Sequence, residues 1–261
     1  MANATVDSIP ILLYHSVPAE ISAATDRLSV PLEHFAGQLD AIAASGRSPI
    51  TIGEHAAALR GEEVLPERPV CITFDDGYDD TLAAIELLRE RRLCATVYIT
   101  TGQIGERSMI GVGELRALAD CGPSVELGAH SVTHPHLDEI DTPAIDSEVS
   151  HSKEQLEQIV GRSVDTFAYP YGSHDRRVRE AVIAGGYSSA AAVKNALSHP
   201  DDDPWAIARW TVRRTTTAEQ IERLLAGQGA PRAWRRERLR TTSYRAVRRA
   251  RRRFRLSVGG S

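Results

Sequence analysis

From residue 9 to about residue 227 the chain alternates short apolar runs with stretches of helical period, and this alternation restricts its fold more than any other feature. The runs read as strands are 9–15, 48–52, 70–75, 95–100, 125–130, 166–169, 188–193 and 206–213. Between them lie helix-like segments such as "TLAAIELLRERR" and "AEQIERLLAG", several closed by glycine stop signals at Gly46, Gly161 and the Gly185-Gly186 pair. Eight strand-helix units in this length fit a (β/α) barrel, in a distorted form, better than a sandwich or a bundle. There is no internal repeat and no Gly/Ser linker, so one α/β domain is expected over residues 1–231.

Charge divides the chain. Residues 232–255 hold twelve arginines and one glutamate, a net +11, while the overall charge of -4 leaves -15 for the rest. In the segment 232–261 the arginines are interrupted by Trp234, Leu239, Tyr244, Val247 and Phe254, with Val247 and Phe254 seven apart as on one helix face. Two readings stand: a basic amphipathic helix on an anionic membrane surface, or a disordered, solvated tail. Nucleic acid is a weaker partner, because the acidic body repels phosphate. The N-terminus has no basic n-region, and no apolar run reaches the roughly 20 residues that span a bilayer, so cytoplasmic residence is expected. Cys71, Cys94 and Cys121 are odd in number, widely spaced and set among apolar residues, which suits core positions in a reducing compartment.

A barrel places its chemistry at the C-terminal ends of its strands, and the polar residues gather there. In "VCITFDDGYDD" an apolar strand ends in Asp75 and Asp76. Neighbouring strand residues face opposite ways, so two adjacent carboxylates can take two tasks, one binding an ion and one accepting a proton; Asp-Asp-Gly is also ordinary turn sequence. In "VELGAHSVTHPHL" a second run ends in His130, with His134 and Pro135 following in a loop. Two imidazoles so placed converge on one metal, and with one carboxylate they form a His2Asp site. In "TFAYPYGSHD" Pro170, Tyr171 and Gly172 end a further strand, where a backbone N–H beside a rigid proline can donate to an oxyanion, although the same residues make a good turn.

Together, "TFDDG", "HSVTHP" and "AYPYG" resemble the NodB-type polysaccharide deacetylases, carbohydrate esterase family four, over roughly residues 8–226. The resemblance implies a distorted (β/α) barrel and a metal-dependent hydrolase that removes an N-acetyl group from an amino sugar. It makes Asp75 the general base, Asp76, His130 and His134 the metal ligands, and Tyr171 the backbone oxyanion donor, with Pro170 beside the substrate. The ligand set suits zinc foremost, or cobalt, nickel or iron. Trp205 and Trp210 are the candidates for an aromatic pocket wall.

Two positions depart from the family pattern. Ala168 stands where most members have an arginine that orients the catalytic aspartate, and "IARWTVRRTTT" lacks the late acid histidine. An amine leaving group needs a proton. In a permuted branch of the family, which includes biofilm poly-N-acetylglucosamine deacetylases, that histidine comes from the first strand, and "LLYHSV" resembles that segment. First and last strands of a barrel are neighbours, so His15 is expected as the general acid. Asp201, Asp202 and Asp203 offer it a partner or form a solvated acidic loop. The absence of a leader favours a lipid-linked or nucleotide-linked amino sugar over a finished polymer. Rival readings are a deformylase, a cyclic-amide hydrolase on the same site, and a glycan-binding protein whose catalysis has decayed.

Overall fold

The computed structural model describes residues 8–21 and 27–234. Within them the chain forms β1 (Ile11–Tyr14), α1 (Leu32–Ala44), β2 (Ser48–Pro49), α2 (Ile52–Leu59), β3 (Pro69–Phe74), α3 (Thr81–Glu90), β4 (Ala95–Ile99), α4 (Val112–Ala119), β5 (Val125–Ala129), α5 (Thr142–Val160), β6 (Thr166–Ala168), α6 (Arg176–Ala184), β7 (Ser189–Val193), β8 (Ile207–Thr211) and α7 (Ala218–Leu225). Each expected strand and helix is present. Local chemistry explains the boundaries. Helix α5, for example, starts where Asp141 accepts a hydrogen bond from the Ala144 N–H (2.9 Å) and stops at Gly161, whose φ of 69° is left-handed.

The strands are parallel and close a seven-stranded (β/α) barrel in the order β1-β3-β4-β5-β6-β7-β8, with β8 returning to β1. Strand β2 does not enter the barrel. It pairs only with β3, through Ser48 and Pro49, and β1 takes the place beside β3. Pro49 has no N–H to give to a further ladder, and Thr51 immediately caps α2 through a reciprocal bond pattern with Glu54. Helix α2 then turns under the barrel: Ile52 and Ala56 join Ile11, Cys71, Tyr98, Ala168, Ala191 and Ile207 in one buried cluster. The floor is thereby plugged with apolar side chains.

A larger apolar layer lies between the strands and the surrounding helices, where Tyr14, Phe35 and Phe74 pack with ring centroids 5.0–5.7 Å apart. Tyr14 also donates its hydroxyl to Gln38 (2.9 Å), and of the three cysteines expected in the core Cys71 is buried while Cys94 and Cys121 are half-buried. Arg232, Ala233 and Trp234, the start of the arginine-rich segment, pack on the body: the Ala233 N–H donates to the Leu197 carbonyl, and Trp234 lies against Ala196, Ala208 and Ala233. The amphipathic-helix and disordered-tail readings concern 232–261, of which residues 235–261 lie outside the described residues. No helix among the described residues is long and apolar enough to cross a membrane.

Candidate active site

The C-terminal ends of the strands open into a pocket of about 540 Å³ whose lining includes His15, Asp75, Asp76, His130, His134 and Tyr171. These six of the residues expected at the site therefore meet across the barrel mouth.

Asp75 follows β3 directly and is buried, as is Arg209 in the middle of β8. Two parallel contacts join them, Nη1 to Oδ1 at 2.6 Å and Nη2 to Oδ2 at 2.8 Å. The guanidinium also reaches the Thr73 hydroxyl (3.3 Å) and lies over the Tyr98 ring, 5.2 Å from its centroid. Burial alone would raise the Asp75 pKa, but Arg209, His130 and His15 outweigh it and bring it down to about 2. Asp75 is thus an anion with both oxygens fixed. The arginine missing at Ala168 is supplied from another strand, and the sequence reading missed it. The signal was available: Arg209 is a charged residue inside an apolar barrel strand.

Asp76 is next in sequence but turns the other way, with a left-handed φ of 74°. Its Oδ1 lies 3.3 Å from His134 Nε2 and 3.6 Å from His130 Nε2. His130 ends β5 and donates from Nδ1 to the Ala168 carbonyl (2.7 Å), which leaves the Nε2 lone pair facing Asp76 and His134. Burial pushes its pKa down to about 3, so the ring is neutral. His134 is lowered too, again through burial. The loop carrying it is pinned by Glu148, which accepts from the Val132 and Thr133 N–H groups at 2.8 Å each. The two Nε2 atoms are 3.2 Å apart, a spacing at which lone pairs repel unless a proton or a cation lies between. Asp76, His130 and His134 form a compact set of one oxygen and two nitrogens, and that donor set fits a divalent cation.

Tyr171 sits in a short 3-10 turn at Pro170–Gly172 with a φ of 57°. The turn is closed by the N–H groups of Gly172 and Ser173, donating to Tyr169 and Pro170, so the Tyr171 N–H lies outside these bonds. Its exposed ring stacks on His136, centroids 4.0 Å apart, and meets His134 edge-on at 4.5 Å. Gly172 is required here: its φ is +67°, and a Cβ would come within 2.7 Å of the Val193 nitrogen. Asp76, Ser131, His134, Tyr171 and Asn195, five of the eight non-glycine residues with positive φ among the described residues, cluster at this end of the barrel.

His15 follows β1 and lies beside Asp75, whose N–H donates to the Tyr14 carbonyl (3.0 Å). Its Nδ1 is buried with no hydrogen-bond partner. The acidic loop does not orient it: Asp202 binds Lys194 and Ser198, Asp203 pairs with Arg179, and Asp201 lies 3.8 Å from Arg232.

The expected aromatic wall is not in the pocket. Trp210 follows the inward Arg209 and so faces outward into the helix layer, and Trp205 packs in that same layer, its carbonyl accepting the Tyr169 hydroxyl. Pro170 is buried in its turn and does not line the pocket either.

Residues 62–190 match the polysaccharide deacetylase family. This segment, just under half of the chain, carries a polysaccharide deacetylase domain. The Bacillus subtilis protein YxkH, a polysaccharide deacetylase by name, is 25% identical over 202 residues, 77% of this chain and 70% of its own. Two solved structures share the fold. The Streptococcus pyogenes deacetylase PplD, in complex with acetate, superposes with a TM-score of 0.75 at 21% identity, covering 82% of this chain and 96% of that one. IcaB from Ammonifex degensii superposes at 0.71 and 22% identity, covering 85% and 97%. This family consists of hydrolases acting on N-acetyl sugars.

Proposed function

We propose that this protein removes the N-acetyl group of an amino sugar with a water activated at the Asp76, His130 and His134 site. The observation that carries the reading is the convergence of that donor set with Asp75, held by Arg209, and His15 on one pocket. A divalent cation bound there, zinc foremost, supplies Lewis-acid polarisation of a carbonyl and a lowered pKa for water. The chain's own groups do the rest. Asp75, kept ionised and aimed by Arg209, takes the proton of the attacking water. The Tyr171 N–H donates to the oxyanion that forms on the acetyl carbon, and His15 gives a proton to the departing sugar amine. Acetate and a free amino sugar are the products.

The same reading has a cytoplasmic protein whose segment 232–261 attaches to the cytosolic face of an anionic membrane, where lipid-linked or nucleotide-linked sugars are assembled; the twelve arginines of 232–255 support the attachment.

The test is release of acetate and formate from metal-loaded protein given N-acetylglucosamine oligomers, a UDP-linked N-acetyl sugar and a lipid-linked acetamido sugar. Acetate from at least one, with kcat lowered about 10²- to 10⁴-fold in His15→Ala, is expected. Formate alone would make the protein a deformylase. Metal binding without either acid would leave a glycan-binding protein.

A further inference from the structure

Two arginines at the pocket mouth are left over from the chemistry above. Arg27 and Arg213 both line the pocket and are exposed. They belong to adjoining segments, because the Arg214 N–H donates to the Arg27 carbonyl (3.0 Å). The segment after Arg27 is tied in turn to the loop behind His15, where the Val30 N–H donates to the Ser16 carbonyl (2.9 Å). Both arginines therefore stand on the side of the pocket where His15 lies.

Several arginines of the body meet carboxylates, Arg60 with Glu62, Arg91 with Asp40, Arg179 with Asp203 and Arg209 with Asp75, and others, such as Arg116 and Arg162, bond to backbone carbonyls away from the pocket. Among the described residues, neither Arg27 nor Arg213 has such a pair. The pocket's two carboxylates are spoken for, Asp75 by Arg209 and Asp76 by the two histidines. Outside residues 232–255 the chain carries -15, yet this mouth is cationic, and more so with a divalent ion on Asp76. Such a local reversal of sign recruits an anion.

Resting on the deacetylase reading, we infer that the substrate is a phosphorylated amino sugar whose phosphate lies between Arg27 and Arg213. A carboxylate would need only one of them, since Arg209 alone satisfies both oxygens of Asp75 in this same protein. A phosphate offers more terminal oxygens and more charge, which suits two guanidinium forks. Both arginines being exposed, their effect is screened by salt.

The experiment compares kcat/KM for acid release by the full, metal-loaded chain on methyl N-acetylglucosaminide, N-acetylglucosamine 1-phosphate, a UDP-linked sugar, and a polyprenyl-phosphate-linked sugar in neutral vesicles. At low ionic strength a phosphorylated substrate is expected to exceed the neutral one by about tenfold. That ratio should collapse in the Arg27→Gln, Arg213→Gln double variant and persist in part in Arg213→Lys. The leading substrate then tells whether a monoester, a nucleotide or a lipid supplies the phosphate. Equal kcat/KM across the neutral and phosphorylated sugars overturns the inference and leaves the deacetylase reading standing. No acid from any substrate sinks the deacetylase reading instead. Calorimetry with N-acetylglucosamine 1-phosphate then decides the phosphate site: binding weakened about tenfold in the double variant keeps it, and equal binding overturns it.

Discussion

Arg209 and Asp75, 134 residues apart in sequence, meet through two parallel contacts of 2.6 and 2.8 Å, both side chains buried. The pair holds the carboxylate ionised against its burial. Asp75 titrates lower folded than unfolded, so its contribution to stability is complete above about pH 4 and is lost as pH falls toward about 2. Arg209→Met leaves a buried charge alone and should cost about 3–5 kcal/mol in denaturant unfolding. It should also move the acidic limb of the pH-rate profile upward, since burial then acts on Asp75 with less opposition. In Arg209→Lys the charge stays but the fork is lost, and the limb should move less. An unmoved limb in both would show that Arg209 does not set the state of Asp75.

The metal site has a signature apart from turnover. His134→Ala should abolish stoichiometric zinc in elemental analysis, and chelation should then no longer lower its unfolding free energy. For the unaltered protein, removal of a cation present at 100 times its Kd costs about 2.7 kcal/mol. An equal chelator shift in both would place the cation elsewhere.

Gly172→Ala tests the turn that presents the Tyr171 N–H. Gly161→Ala is its control, since Gly161 has a similar φ of +69° but open space around a Cβ. The control should pay about 1 kcal/mol for the backbone alone. Gly172→Ala should pay more, because β7 must yield at Val193, and should lower kcat as well. Equal stability losses with unchanged kcat would contradict the arrangement.

Far from the pocket, His55 is buried with Nε2 2.9 Å from the Ser198 hydroxyl, and burial brings its pKa down to about 4. The unfolded chain therefore takes up this proton first, and stability falls as pH drops from about 6.5 to about 4, by about 3 kcal/mol for this one group. Urea unfolding across that range should show a shallower pH slope in His55→Gln than in the unaltered chain.

Removing residues 235–261 should abolish sedimentation with anionic liposomes and leave acid release from a soluble sugar in place. The cut spares Trp234, which packs on the body. Unchanged sedimentation would end the membrane reading.

Much of this was legible beforehand, for a physical reason in each case. The strands read as strands because both faces of a barrel strand are buried, and "VCITF" or "VELGA" is apolar throughout. Asp75, Asp76, His130 and His134 stood out because polar residues ended those runs. Arg209 was missed because its inward direction depends on β8 parity and on a partner on another strand. Trp205 and Trp210 misled for the converse reason: an aromatic near a site reads as a wall until the pleat shows which way it faces. Strand β2 read like its neighbours, and only the helix cap at Thr51 marks where the chain leaves the sheet.

Barrel closure joins β1, the first strand to be synthesised, to β8, the last. His15 and Arg209 therefore reach Asp75 only when the ribosome has released nearly the whole body, and a half-made chain holds Asp76, His130 and His134 without the guanidinium that fixes Asp75. On the proposed function, hydrolytic competence waits for the end of translation, and a product truncated before β8 should be inert with Asp76, His130 and His134 all present.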